Sequence, residues 1–172
     1  MILLRMAAPL LLALSAGQAG VVTAKDAAPA AESAKILYYP VEADANKVYA
    51  QAVDHAKLGK VDAVIVFGAD WCHDSRALAE VLTSDAFKSE FGSRYEVTFI
   101  DVGRPQSGEG RNLDLVKQLG VKNLKSTPAM FVLSPGGKLL NGKKDAVSWR
   151  NAQSRGPDKV LTWFRGFDKR HG

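Results

Sequence analysis

Ala63-Val64-Ile65-Val66-Phe67-Gly68-Ala69-Asp70-Trp71-Cys72-His73-Asp74-Ser75-Arg76 is the stretch on which the reading of this chain turns. It opens with a continuous apolar, β-branched run, too short for a helix, which predicts a strand buried on both faces. Gly68-Ala69-Asp70-Trp71 then turns the chain. A helix is expected to start around Cys72 and to run through Arg76, Leu78, Ala79, Val81 and Leu82.

On the N-terminal side, Ile36-Leu37-Tyr38-Tyr39 reads as a short edge strand. Asp44 is placed to cap a helix reaching about Leu58, with Val48, Ala52 and Ala56 as its apolar stripe and Gly59 as its stop. On the C-terminal side, Thr83-Ser84-Asp85 restarts a short helix containing Phe87 and Phe91, and Tyr95 to Asp101 alternates as a strand. Pro105, Gly108 and Gly110 mark Arg104 to Arg111 as a loop, read as a solvated connection rather than a gate over the site. Asn112 is placed to cap a helix through Leu113, Val116 and Leu119, stopped at Gly120. Ala129 to Leu133 is a strand, and Ser134-Pro135-Gly136-Gly137 turns it back into Lys138-Leu139-Leu140 as a hairpin. Pro157 opens a last helix with Val160, Leu161, Trp163 and Phe164.

Strands separated by helices need crossovers and hence pair in parallel, whereas the hairpin adds an antiparallel pair. The expected fold class is therefore α/β, with a central mixed β-sheet flanked by helices on both faces.

The N-terminus differs from the rest. Arg5 is followed by the apolar run Ala7 to Leu14 and then by Ser15, Ala16, Gly17, Ala19 and Gly20, the succession of a secretory signal peptide. The run is too short to span a bilayer, which takes roughly 20 apolar residues. Cleavage after Ala19 or after Ala24 fits. Residues 1–24 are read as the signal, 25–35 as a flexible leader and 36–172 as the folded domain. The expected location is periplasmic or secreted, without stable membrane insertion after processing. A hydrophobic share of 47% and a charged share of 24% exclude a collagen, a coiled coil or a wholly disordered chain. The formal charge of +5 includes a basic C-terminal group of Arg165, Lys169 and Arg170 beside His171, read as a solvated face. Export argues against nucleic acid as a partner. His55 and His171 are read as surface residues, Trp149 and Trp163 as packing groups.

The chain holds one cysteine, so no internal disulfide can form. Unpaired N–H groups at a helix start favour a thiolate, the nucleophile of disulfide exchange. A protonated His73 reinforces this and Asp74 opposes it. Ser75 stands one helical turn after Cys72, where it can donate a hydrogen bond to a thiolate but cannot attack a mixed disulfide. Trp71 offers an apolar wall beside the sulfur.

Phe67 to Arg76 resembles the active-site segment of the thioredoxin superfamily, and is most similar to the exported branch that includes the C-terminal domain of the bacterial transmembrane disulfide reductase. Thr127-Pro128 is similar to that family's cis-proline position, and Ser134 to Lys138 to the hairpin turn after it. The resemblance covers about Lys60 to Leu140. It implies a thioredoxin-like fold in which a cis Pro128 faces Cys72 and Thr127 offers backbone hydrogen bonds to a bound peptide or thiol. It also exposes two departures. Ser75 replaces the family's resolving cysteine, and Val66 stands where thioredoxins proper keep a buried acid. Both remove an ordinary dithiol cycle.

Two functions follow as expectations. In one, Cys72 with Ser75 carries thiol–disulfide exchange on exported proteins or small-molecule thiols and disulfides, an external thiol reductant resolving the mixed disulfide. In the other, the groove around Trp71, His73, Thr127 and Pro128 binds clients without turnover, as a chaperone, adaptor or redox sensor. Neither needs a cofactor, and His73 and Asp74 lack the distant partners a metal site requires.

Overall fold

The computed structural model describes residues 36–171; the expected signal and leader lie outside them. Helix α1 (Ala45–Gly59) begins where Asp44, in extended conformation, accepts the N–H groups of Asn46 and Lys47 through its carboxylate. The helix ends at Gly59, as expected, and Lys60 takes the left-handed cap at φ 54°, with the Val61 N–H closing on the Ala56 carbonyl at 3.0 Å.

Strand β1 (Asp62–Gly68) is the middle of a three-stranded sheet. It runs parallel to β2 (Tyr95–Asp101) and antiparallel to β5 (Ala129–Leu133), in the order β2-β1-β5. Central placement explains its unbroken apolar run. Val64 and Val66 face a core of Leu78, Leu82, Phe87, Phe91, Trp149 and Phe164, whereas Ala63, Ile65 and Phe67 face α1 and the Leu115–Val116 helix. The first core is supplied by α2 (His73–Thr83), α3 (Asp85–Phe91) and the C-terminal helix, so helices cover both faces of the sheet. Ser84 caps α3 by accepting the Phe87 N–H at 3.2 Å. Between β2 and α4 (Leu113–Gln118), strands β3 (Gly103–Arg104) and β4 (Glu109–Gly110) form a two-stranded ribbon where a plain loop was expected.

Three further expectations are corrected. Ile36 to Tyr39 forms no strand, because the N–H groups of Tyr38 and Tyr39 are taken by the two carboxylate oxygens of Asp70, at 2.9 and 3.0 Å. Asn112 holds the N-cap position of α4 but makes no side-chain capping bond; it sits at φ 55° and its side-chain amide donates to the Asp101 carbonyl at 2.8 Å. The return of the hairpin is reduced to a single bridge, Leu133 to Leu139. Beyond it the buried Asn141 side chain stands in for a strand, accepting the Val132 N–H and donating to the Met130 carbonyl, both at 2.9 Å.

Residues 143–155 hold α5 (Lys143–Ala146) and α6 (Ala152–Arg155), each too short to show a helical period in sequence, with fully buried Trp149 between them. The last helix, α7 (Pro157–His171), starts at its proline as expected and buries Val160, Phe164 and Phe167. His55 and His171 are exposed, as read.

Two phenols are locked in this framework. Burial pushes Tyr39 well above the usual tyrosine range, reinforced by the negative charge of Asp70 and then of Cys72. Burial likewise raises Tyr95, which also donates a hydrogen bond to Asp168. A folded pKa raised above the unfolded one gives stability that is full below the unfolded value of about 10 and is lost as pH rises towards the folded one. We expect tyrosinate absorbance from these two to appear only with the loss of the circular-dichroism signal. Their ionisation near pH ~10 in a still-folded protein excludes this account.

Candidate functional site

The site is built at the C-terminal end of β1. A Cβ on Gly68 would stand 2.6 Å from the Tyr39 ring, so only glycine lets that ring close over the strand end. Tyr39 in turn donates its hydroxyl to the Ser75 carbonyl at 3.1 Å, tying the incoming segment to the first turn of α2. Asp70 holds the other side through Tyr38 and Tyr39, and its own carbonyl accepts the Arg76 guanidinium at 2.6 Å.

Cys72 occupies the N-cap of α2, with φ −86° and ψ 120°. Its N–H closes the turn onto the Ala69 carbonyl at 3.0 Å, and its carbonyl accepts the Arg76 N–H at 3.1 Å. The thiol lies 3.6 Å from the Thr127 carbonyl, to which it donates, and the residue is 6% exposed. The Thr127–Pro128 peptide is cis. The structure thus brings Cys72 and the Thr127-Pro128 segment together from positions 55 residues apart.

Ser75 is fully buried one turn on, but makes no hydrogen bond to Cys72; its hydroxyl, like that of Thr127, has no partner among the described residues. Trp71 is 39% exposed and donates its indole N–H to the Gly103 carbonyl at 3.0 Å. His73 points to solvent, 3.9 Å from the Asp74 carboxylate. Asp74 is directed away from the sulfur, accepting the Gln153 N–H at 2.9 Å. Val66 is fully buried between Phe99 and Met130 on the neighbouring strands, so apolar packing fills that position. Among the described residues no cluster of three or more His, Cys, Asp or Glu could hold a metal ion.

Pattern reading missed the support of Trp71. The β3–β4 ribbon is fastened to it by the indole bond, and to the buried Asp101, whose carboxylate accepts the Gly103 N–H at 2.8 Å and pairs with Arg111 at 3.4 Å. The Arg104 guanidinium lies 4.8 Å from the Trp71 ring centre. Beside Trp71 opens a cavity of about 410 Å³ lined by Val41, Asp70, Asp101, Arg104, Glu109 and Arg111. A larger one, about 500 Å³ between α2, α6 and α7, includes neither Cys72 nor Trp71. The only sequence signal for the ribbon was its density of glycine and charge, which reads equally well as a solvated loop.

The fold matches a known one. A crystal structure of disulphide isomerase from Xylella fastidiosa Temecula1 superimposes with a TM-score of 0.68 and 28% identity, over 81% of this chain and 100% of that one. The fold is thioredoxin-like. A structure described as DsbH oxidoreductase also aligns, with a TM-score of 0.49 and 20% identity, over 78% of this chain and 86% of that one. No family model and no curated protein matches the chain. In this thioredoxin-like domain the N-cap of α2, Cys72, meets the Thr127-Pro128 segment beyond the C-terminal end of β1. No helix among the described residues is long and apolar enough to cross a membrane.

Proposed function

We propose that this protein is an exported, single-thiol member of the thioredoxin superfamily, related to the branch of the transmembrane disulfide reductase, that exchanges thiols and disulfides through Cys72 in the periplasm or outside the cell. The observation that carries this reading is the Cys72 thiol at the start of α2, 3.6 Å from the Thr127 carbonyl, as the chain's one cysteine. The disulphide isomerase that is 28% identical over its whole length supports the general chemistry.

The Cys72 thiolate attacks a substrate disulfide. One substrate sulfur bonds to Cys72, the other leaves as a thiolate and takes up a proton. Ionisation of Cys72 removes the donor now held by the Thr127 carbonyl, freeing that oxygen to accept an N–H from an arriving peptide. Trp71, next to Cys72 in the chain, and Pro128, next to Thr127, flank the reacting sulfur in this reading. With Ser75 one turn away, no internal thiol can open the mixed disulfide. An external thiol must attack it, leaving as a new disulfide with the substrate sulfur and returning Cys72 as a thiolate.

The 6% exposure of Cys72 favours a second reading, a client-binding module around Trp71, His73, Thr127 and Pro128 in which the thiol is bystander or sensor. Reaction of the reduced protein with hydroxyethyl disulfide, followed by intact mass, separates the two. The exchange reading expects one adduct per chain, formed faster when folded than in urea and reversed by added thiol. An adduct that forms only after unfolding leaves the binding module.

A further inference from the structure

The cavity beside Trp71 carries five charged groups, and four of them are engaged. Both oxygens of Asp70 accept backbone N–H groups. Asp101 is shared between the Gly103 N–H and Arg111. Glu109 accepts the Ser107 hydroxyl at 3.2 Å. Arg104 stands directly opposite Glu109 in the ribbon, a position from which opposite charges ordinarily pair. It does not pair with it. Among the described residues no carboxylate lies within ion-pair distance of its guanidinium, which rests on the Trp71 face instead.

We propose that Arg104 is a specificity-determining residue for the exchange at Cys72, its guanidinium binding a carboxylate carried next to the substrate's disulfide bond. This rests on the exchange reading above. Trp71 directly precedes Cys72 and is shared with the cavity, whose lining does not include Cys72, so the substrate's substituent must extend from the sulfur past the Trp71 ring to reach Arg104. There it meets a planar fork of N–H donors that matches a carboxylate in two-bond geometry. Stacking on the indole holds the fork in place before the substrate arrives, which lowers the ordering cost of binding. The indole is fixed by Gly103, the residue beside Arg104, so ribbon, ring and guanidinium form one supported unit. The covalent step is unchanged: Arg104 selects which disulfide is presented, and the same sulfur–sulfur bonds form and break.

The test compares rates of adduct formation with three small disulfides of similar size: dithiodipropionate (anionic), hydroxyethyl disulfide (neutral) and cystamine (cationic). The wild type is expected to show an anionic-to-neutral rate ratio, normalised to a free model thiol, that falls as salt is added. Arg104→Gln lowers that ratio about fivefold and Glu109→Gln raises it. Glutathione disulfide and an aspartate-flanked peptide disulfide then distinguish the source of the carboxylate, since the loss in Arg104→Gln appears in whichever of them the site accepts. A ratio insensitive to both salt and Arg104→Gln, or a wild type that prefers cystamine, overturns the proposal. Absence of reaction with the neutral disulfide instead refutes the exchange reading beneath it.

Discussion

Cys72→Ser is expected to abolish every covalent adduct with disulfides while leaving the domain folded. The loss is total because the chain has no other sulfur nucleophile of this kind and a serine hydroxyl is far too weak an acid to replace a thiolate. The variant separates chemistry from folding. Cys72 holds the N-cap of α2 without a side-chain capping bond, and serine is among the preferred residues there, worth about 0.5–2 kcal/mol over an uncapped start. The urea midpoint should therefore be unchanged or higher. Serine also keeps a donor for the Thr127 carbonyl, so the two segments remain joined. Intact mass after incubation with hydroxyethyl disulfide and with glutathione disulfide reads the first outcome, urea unfolding the second. If Cys72→Ser binds clients as well as the wild type under oxidising and reducing conditions alike, the covalent step is dispensable and the binding-module reading replaces it.

The parts of this site that could be read in the sequence are those whose physics is local. A five-residue, β-branched apolar run between Asp62 and Gly68 is too short for a helix and reads as a doubly buried strand, and β1 is the middle strand of the sheet. The turn after it, then Cys72 and an amphipathic run, place the thiol at a helix start because cap geometry is decided within a few residues. The hidden parts depend on contacts distant in sequence. Asp70 reads as a turn residue, yet its carboxylate replaces a sheet neighbour for Tyr38 and Tyr39, more than 30 residues earlier. Asn141 ends the expected hairpin by imitating a strand, an outcome invisible to alternation of apolar and polar residues. The ribbon that fastens Trp71 has only two residues per strand, too few for any period to show. Propensity therefore located the reactive residue, while the groups that surround and orient it had to come from tertiary structure.

Phe164→Ala should have the largest effect on stability of any substitution outside the site, about 3–5 kcal/mol. Phe164 is fully buried on α7. Its ring meets Phe87 at 4.9 Å, Trp163 at 4.9 Å, Tyr95 at 5.1 Å and Phe91 at 5.5 Å between centroids. It is the point at which α7 joins both α3 and β2. Truncation forfeits the transfer free energy of the ring, adds a cavity among rigid aromatic neighbours that cannot collapse into it, and breaks edge-on contacts worth about 0.5–1.5 kcal/mol each. The ion pairs that bridge the same elements cannot compensate. Arg165 grips Glu90 in a two-bond fork and Arg94 reaches Asp168 at 2.8 Å, but both pairs are largely solvated, where such contacts contribute little. Against a typical total of 5–15 kcal/mol, the variant sits close to the threshold of folding. A lowered urea midpoint with an unchanged slope is the expected result. Since Cys72 is held by Ala69, Thr127 and Arg76 rather than by α7, the fraction that remains folded should form the Cys72 adduct at the wild-type rate. A small loss of stability would mean that α7 is held by its ion pairs after all, and that the aromatic cluster is looser than its ring distances imply.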